Sequence, residues 1–183
     1  MKPKVTIQEL AIALSAKHHS PTLLNSDFLK YSGIVPPDWE LARPPIFSPQ
    51  ISQVAFTNGT NIVAQSNAIT FIELLNSKFQ ETAKIPDITR KYIEALPRTA
   101  YQTLSINPRT FVSFEAGDEN AAREFITSTL LAKDTWFEVG NSPVKAAVNL
   151  VYSLEQGELN LSVAEALLQL ARCRTDSGCF VLR

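Results

Sequence analysis

Apolar residues along this chain fall into short alternating runs broken by turn residues, with stretches of helical spacing between them. Over residues 4–18, Val5 and Ile7 alternate before Leu10, Ala11, Ile12, Ala13 and Leu14 run on without a break. That pattern predicts a long strand, or a strand passing into a helical turn. In "QVAFTNGTNIVAQSNAITF", residues 53–71, Val54 and Phe56 alternate, Asn58-Gly59 intervenes, and Ile62 and Ala64 resume. Asn-Gly favours a type I′ turn because both of its central residues need positive φ. A second reversal at Ser66-Asn67 leads to a third strand, Ile69-Thr70-Phe71-Ile72.

Pro86 to Leu96 then predicts a helix. Proline suits a first turn, Asp87 complements the positive N-terminal end, and Ile88, Tyr92 and Ala95 share a face. Pro97 stops it. The strand "AYQTLSINP" follows, then Phe111–Phe114 after a break at Asn107-Pro108. Gly117-Asp118 opens a second helix, with Asp118 as cap and Ala122, Phe125, Ile126 and Leu130 facing inward.

The clearest period of two lies in the last third, where Ala146, Val148, Leu150, Tyr152 and Leu154 alternate, Gln156-Gly157 reverses the chain, and Leu159 and Leu161 return. Ser162-Val163-Ala164-Glu165 has the form of a capping box and predicts a helix over "VAEALLQLARCR". After Thr175–Gly178 the chain ends in "CFVLR", a short strand. A strand there presents unpaired backbone groups unless a neighbour or another subunit covers it. Hairpin, helix and strand at 51–115 thus recur in kind, without residue-level repetition, at 143–183. The expected fold class is α+β: a single domain, 1–183, with an antiparallel β-sheet built from hairpin–helix–strand units and helices packed on one face.

Between the first strand and the meander lies a proline-rich connection, about 18–50, with six prolines. Proline lacks the ladder donor and holds the preceding residue extended, so the segment reads as irregular apart from a single helical turn at Ser26–Tyr31. Phe28, Tyr31, Trp39 and Phe47 are placed to pin it onto the body.

Composition narrows the function classes. An apolar fraction of 45% with 19% charged residues is that of a globular protein rather than a disordered one. Lys and Arg total 17 against 18 for Asp and Glu, a net charge of −1. No surplus of positive charge is present to hold a phosphate backbone, so no nucleic-acid partner is expected. Gln8 and Glu9 interrupt the first apolar run, no small-residue cleavage site follows it, and no stretch reaches membrane-spanning length. The expected place is the cytoplasm, with no membrane contact.

Candidate chemistry is sparse. His18 and His19, the two histidines, would point to opposite faces of a continuing strand and cannot share a metal; a solvated strand end is the simple reading. Cys173 and Cys179 lack zinc-ligand spacing and read as small buried thiols. Glu73, Glu94, Glu115 and Asp118 are scattered carboxylates, read as solvated. Arg98 and Arg109 flank a strand, where surface ion pairs are the simple reading and an anionic partner the alternative. No nucleophile elbow, phosphate loop, zinc-protease helix or dinucleotide fingerprint occurs, and neither Gly33 nor Gly59 sits in a glycine-rich loop.

The succession "VAFTNGTNIVAQSNAITFIE", then "YIEALPRTAYQTLSINPRTFV", resembles a group of small conserved bacterial proteins, cyanobacterial among them, of unassigned activity. The likeness spans residues 5–183 and brings no catalytic residues with it. A more distant likeness is to SecB-like export chaperones, which pair a long-stranded antiparallel sheet with helices and assemble as oligomers. The expectation is a non-enzymatic binding or assembly module, a homo-oligomer or a partner of another protein. The alternatives are an enzyme with its site between the sheet and segment 18–50, and a SecB-like chaperone. Catalytic residues are not assignable, and no cofactor or metal is expected. Elemental analysis and a nucleotide assay of the purified protein check the last point; stoichiometric zinc or a released nucleotide would overturn it.

Overall fold

The computed structural model describes residues 4–75, 83–114, 120–131, 145, 147–166, 170–171 and 179–180. They belong to two compact units, Lys4–Val112 and a second drawn from Ser113–Arg183. The class is α+β with a large antiparallel sheet.

In the first unit the strands are β1 (Lys4–Lys17), β2 (Ile46–Phe47), β3 (Ile51–Ala55), β4 (Thr60–Gln65), β5 (Ala68–Leu74) and β6 (Ala100–Ser113). They form one six-stranded sheet in the order β2-β3-β4-β5-β1-β6. The first apolar run is therefore a strand throughout its 14 residues, and it lies between β5 and β6 rather than at an edge. Two helices accompany the sheet, α1 (Ser26–Tyr31) and α2 (Ile85–Ala95).

Register follows the apolar period. Ile12 and Ile62 both pair with Phe71, Leu14 and Ala64 both pair with Ile69, and Val54 pairs with Ile62. A one-residue slip would exchange this face for Asn61, Thr70 and Gln53, so the buried row sets the register. Over the row lie Ile85, Ile88 and Tyr92 of α2, together with Leu24, Leu29, Ile34 and Val35 from segment 18–50, all buried. Each such side chain contributes about 1.5–3 kcal/mol relative to exposure. The proline-rich connection is thus part of the core, with its helical turn where the sequence places it. Asn25 caps that turn by accepting from the Phe28 N–H at 2.7 Å. Of the four aromatic pins, Phe28 and Trp39 pack inward, whereas Tyr31 and Phe47 are exposed.

Glu73, one of the scattered carboxylates, is buried and not solvated. Its Oε2 accepts from the backbone N–H groups of Lys84 (2.7 Å) and Ile85 (3.1 Å), filling the donors that the first turn of α2 leaves open. This ties the end of β5 to the start of the helix.

Two expectations in this unit are corrected. The break at Asn107-Pro108 does not divide a strand, since β6 runs through it. β6 is an edge strand, and at an edge half of the N–H groups face away from the neighbour, so a residue without one is tolerated. The turn at Asn58-Gly59 is not type I′: Gly59 has φ +87°, while Asn58 is not in the positive region. The loop has three residues, with Gly59 N–H donating to the Phe56 carbonyl and Phe56 N–H to the Thr60 carbonyl. That is a type I turn closed by a glycine bulge, and it needs positive φ at one position only.

The second unit holds α3 (Ala121–Phe125), which continues into a wider π-type turn over Ile126–Leu130, and the strands β7 (Ala147–Leu154), β8 (Gly157–Ala164), β9 (Leu170–Ala171) and β10 (Cys179–Phe180). The cap at Gly117-Asp118 lies outside the described residues, as do Glu115, Ala146, Cys173 and Val181–Arg183. Ile126 faces inward as expected, but Leu130 is exposed. The hairpin β7–β8 forms in full register, from Ala147 opposite Ala164 to Leu154 opposite Gly157. The capping-box helix does not start where its pattern says: Ser162, Val163 and Ala164 pair with Asn149, Val148 and Ala147 in β8. Leu170–Ala171 is likewise a strand, paired with Cys179–Phe180. A cap motif stabilises a helix by only about 0.5–2 kcal/mol, and hairpin pairing of the same residues outweighs it.

Gly59→Val is expected to destabilise the protein by on the order of 1–3 kcal/mol, from the left-handed backbone it would have to keep. The built Cβ also reaches the Leu74 Cβ at 3.4 Å. Asn58→Ala should cost less. It removes only the hydrogen bond that the Asn58 Oδ1 accepts from the Thr60 N–H at 2.9 Å. In chemical denaturation, a loss below about 0.5 kcal/mol for Gly59→Val would refute the strained position.

Candidate binding surfaces

β1 ends at Lys17, and the next residue, His18, takes φ +57°, the one positive value outside glycine among the described residues. The consequence is a phase shift. Leu14 and Ala16 face the core, Lys17 and His18 both remain outside, and His19 turns in. The histidines do point apart, as read from the sequence, but His19 is not a solvated strand end: it is 4% exposed.

The surroundings of His19 settle its tautomer. Its Nδ1 lies 3.2 Å from the Gln65 carbonyl, which can only accept, so Nδ1 carries the proton. Nε2 is then the acceptor for the Tyr92 hydroxyl at 2.8 Å. The Tyr92 ring packs edge-on against Phe71 and Phe28, with centroids 5.4 and 6.1 Å away. Burial lowers the His19 pKa below the usual 6.5 and pushes the Tyr92 phenol far up.

Outside this buried pair lies a surface cleft of about 510 Å³, lined by Lys17, His18, Ala95, Leu96, Pro97, Arg98, Thr99 and Ala100. The end of β1 and the last turn of α2 form it. Of the two arginines singled out from the sequence, Arg98 reaches the cleft, whereas Arg109 sits 3.7 Å from Glu9 on the neighbouring strand. Ser15 and Thr103 share a hydroxyl hydrogen bond between the same two strands, confirming that β1 and β6 run antiparallel. The space between segment 18–50 and the sheet is filled by Leu24, Leu29, Ile34 and Val35. Among the described residues no three of His, Cys, Asp and Glu gather as a metal-ligand group.

A second surface belongs to the other unit. Alternation in β7–β8 puts Val148 opposite Val163, Leu150 opposite Leu161 and Tyr152 opposite Leu159, with Leu154 beyond them. These side chains share one face, and Leu150, Tyr152, Leu154, Leu159 and Leu161 are all more than 40% exposed. The other face carries Asn149, Val151, Ser153, Glu158, Asn160 and Ser162. Glu165, read from sequence as the acidic end of a capping box, instead takes Arg123 of α3 in a two-pronged ion pair, Nε to Oε2 at 3.0 Å and Nη2 to Oε1 at 2.8 Å.

Comparison with known proteins finds no matching family model, no matching curated protein and no matching solved structure. No helix among the described residues is long and apolar enough to cross a membrane.

The sign of the His19 effect is definite. Above pH 6.5 the ring is neutral in folded and unfolded chains, and its contribution to stability is whole. As the pH falls below that value the unfolded chain takes up the proton first, so stability declines toward the lower folded pKa. Denaturant titrations between about pH 7 and 5 should therefore show falling stability, with a slope that His19→Gln reduces. An unchanged slope in His19→Gln would refute the assignment.

Proposed function

We propose that the protein is a cytoplasmic, non-catalytic binding and assembly module that works as a homo-oligomer, most simply a two-fold dimer. The observation that carries the reading is the apolar face of β7–β8. A two-stranded hairpin is marginal in water unless its apolar face is packed against something. Its occupant in this reading is a second copy. The face bears no formal charge, both strands have an open edge among the described residues, and one self-complementary patch suffices to close a two-fold pair.

Magnitudes set the strength. Covering the remaining half of a large apolar side chain is worth about 1 kcal/mol, so five from each subunit supply on the order of 10 kcal/mol. Association costs roughly 4–15 kcal/mol, a range that brackets this gain, so the face supports at most a weak dimer that dilution dissociates.

Light scattering across about a hundredfold range, reaching high micromolar concentration, is the test. The mass is expected to rise toward twice 20.2 kDa, and Leu150→Asp with Leu161→Asp should hold it at 20.2 kDa while circular dichroism stays unchanged. A wild-type mass of 20.2 kDa throughout would end the self-association reading. If that monomer also retained an unfolded polypeptide on the same face, with the double variant releasing it, the SecB-like reading would take its place.

A further inference from the structure

The geometry points to a second site, for a small organic anion with a phosphate-ester or carboxylate head and a short apolar body, in the cleft between the end of β1 and the turn after α2. All its residues lie in Lys4–Val112, so it is independent of the hairpin and of self-association.

Charge is the first argument. The lining holds two cations, Lys17 and Arg98, the titratable His18, the hydroxyl of Thr99, and no carboxylate. Among the described residues neither Lys17 nor Arg98 has a carboxylate within 4 Å. Lys30, Arg43 and Lys91 have none either, and what sets Lys17 and Arg98 apart is that both line one cleft. In a chain of net charge −1, two unpaired cations beside one cleft are a local excess. The C-terminal end of α2 opposes it with only about −0.5 of a charge, leaving a surplus of about 1.5.

Backbone geometry is the second argument. Lys17 and His18 are consecutive, and a regular strand would send them to opposite faces. The left-handed backbone at His18 keeps both outside, and the buried bonds of His19 to Gln65 and Tyr92 hold that conformation in place. Strain of this kind at a non-glycine residue persists only where its surroundings over-determine it.

Shape supplies the ligand class. Ala95, Leu96, Pro97 and Ala100 give the cleft an apolar wall, and about 510 Å³ exceeds what an inorganic ion needs. A guanidinium beside an ammonium is a donor set for phosphate or carboxylate oxygens.

Titration of the isotope-labelled full chain, followed by amide chemical shifts, tests the site with phenyl phosphate, benzoate, inorganic phosphate and the neutral benzyl alcohol. The expected result is shifts confined to Lys17–Ser20 and Leu96–Ala100 with at least one organic anion, and whichever binds, phenyl phosphate or benzoate, identifies the head group. Arg98→Ala should weaken binding about tenfold, the loss of one charge-assisted fork, and Lys17→Ala should act in the same direction. Both side chains are at the surface, and circular dichroism checks that the variants fold. Four outcomes each overturn the site: no shifts at millimolar ligand, equal shifts with benzyl alcohol, inorganic phosphate binding as tightly as phenyl phosphate, or shifts unaffected when Lys17→Ala and Arg98→Ala are combined.

Discussion

The hydrogen bond between the Tyr92 hydroxyl and His19 is the contact on which the larger unit depends. Tyr92 belongs to α2, His19 to the end of β1, and the ring between them touches Phe71 of β5 and Phe28 of segment 18–50. One side chain therefore joins helix, sheet and connection. The aromatic body supplies the packing, while the hydroxyl must find a partner because an unpaired buried donor costs about 1–3 kcal/mol. His19 is that partner, and it can serve only in its neutral form with Nδ1 committed to Gln65. A structural bond thereby becomes a titrating one.

The same constraint reaches the surface. With Ala16 facing the core, a regular strand would turn His18 in and His19 out. For His19 to enter the core the chain must change phase, and His18 absorbs the change. Lys17 and His18 then stand together at the mouth of the cleft. At the other end of the helix Glu73 plays the complementary part, its carboxylate filling the first donors of α2. Between these two polar anchors the helix presents Ile85, Ile88 and Tyr92 to the sheet, and apolar burial supplies most of the favourable free energy.

The two units solve the problem of covering a sheet differently. In Lys4–Val112 one face of the sheet is closed by a helix and a long connection, so its apolar row is fully withdrawn from water. In the second unit the apolar row of β7–β8 is half-exposed. The proposal of an assembly module follows from that contrast, since hydrophobic area left open in one copy is what a second copy can cover.

How much was legible in the sequence depends on the range of the interaction that decides each element. Period-two alternation determined the meander β3–β5 and the β7–β8 hairpin, because side-chain direction in a strand is a local property with a strict period. Pro86 with Asp87 and the Ile88–Tyr92 spacing determined α2 for the same reason. The turn α1 lies where the sequence places it, at Ser26–Tyr31, with its Asn25 cap seen only in the structure. The unbroken run Leu10–Leu14, by contrast, left β1 open between a strand and a helical turn until pairing with β5 and β6 decided it. Tertiary structure decided the rest. Pro108 is harmless because β6 is an edge strand, and edge status is set by pairing order, which a single segment does not carry. Ser162–Glu165 has helical capping chemistry, but Ser162, Val163 and Ala164 gain more from partners on β7, and Glu165 from Arg123. The cleft was half visible: Arg98 stood out as a cation near a strand end, while Lys17 did not. They lie far apart in the chain and meet only because β1 and α2 end at the same side of the core. Polar side chains carry their chemistry in the sequence, but their partners, and hence their charge state and role, are chosen by the fold.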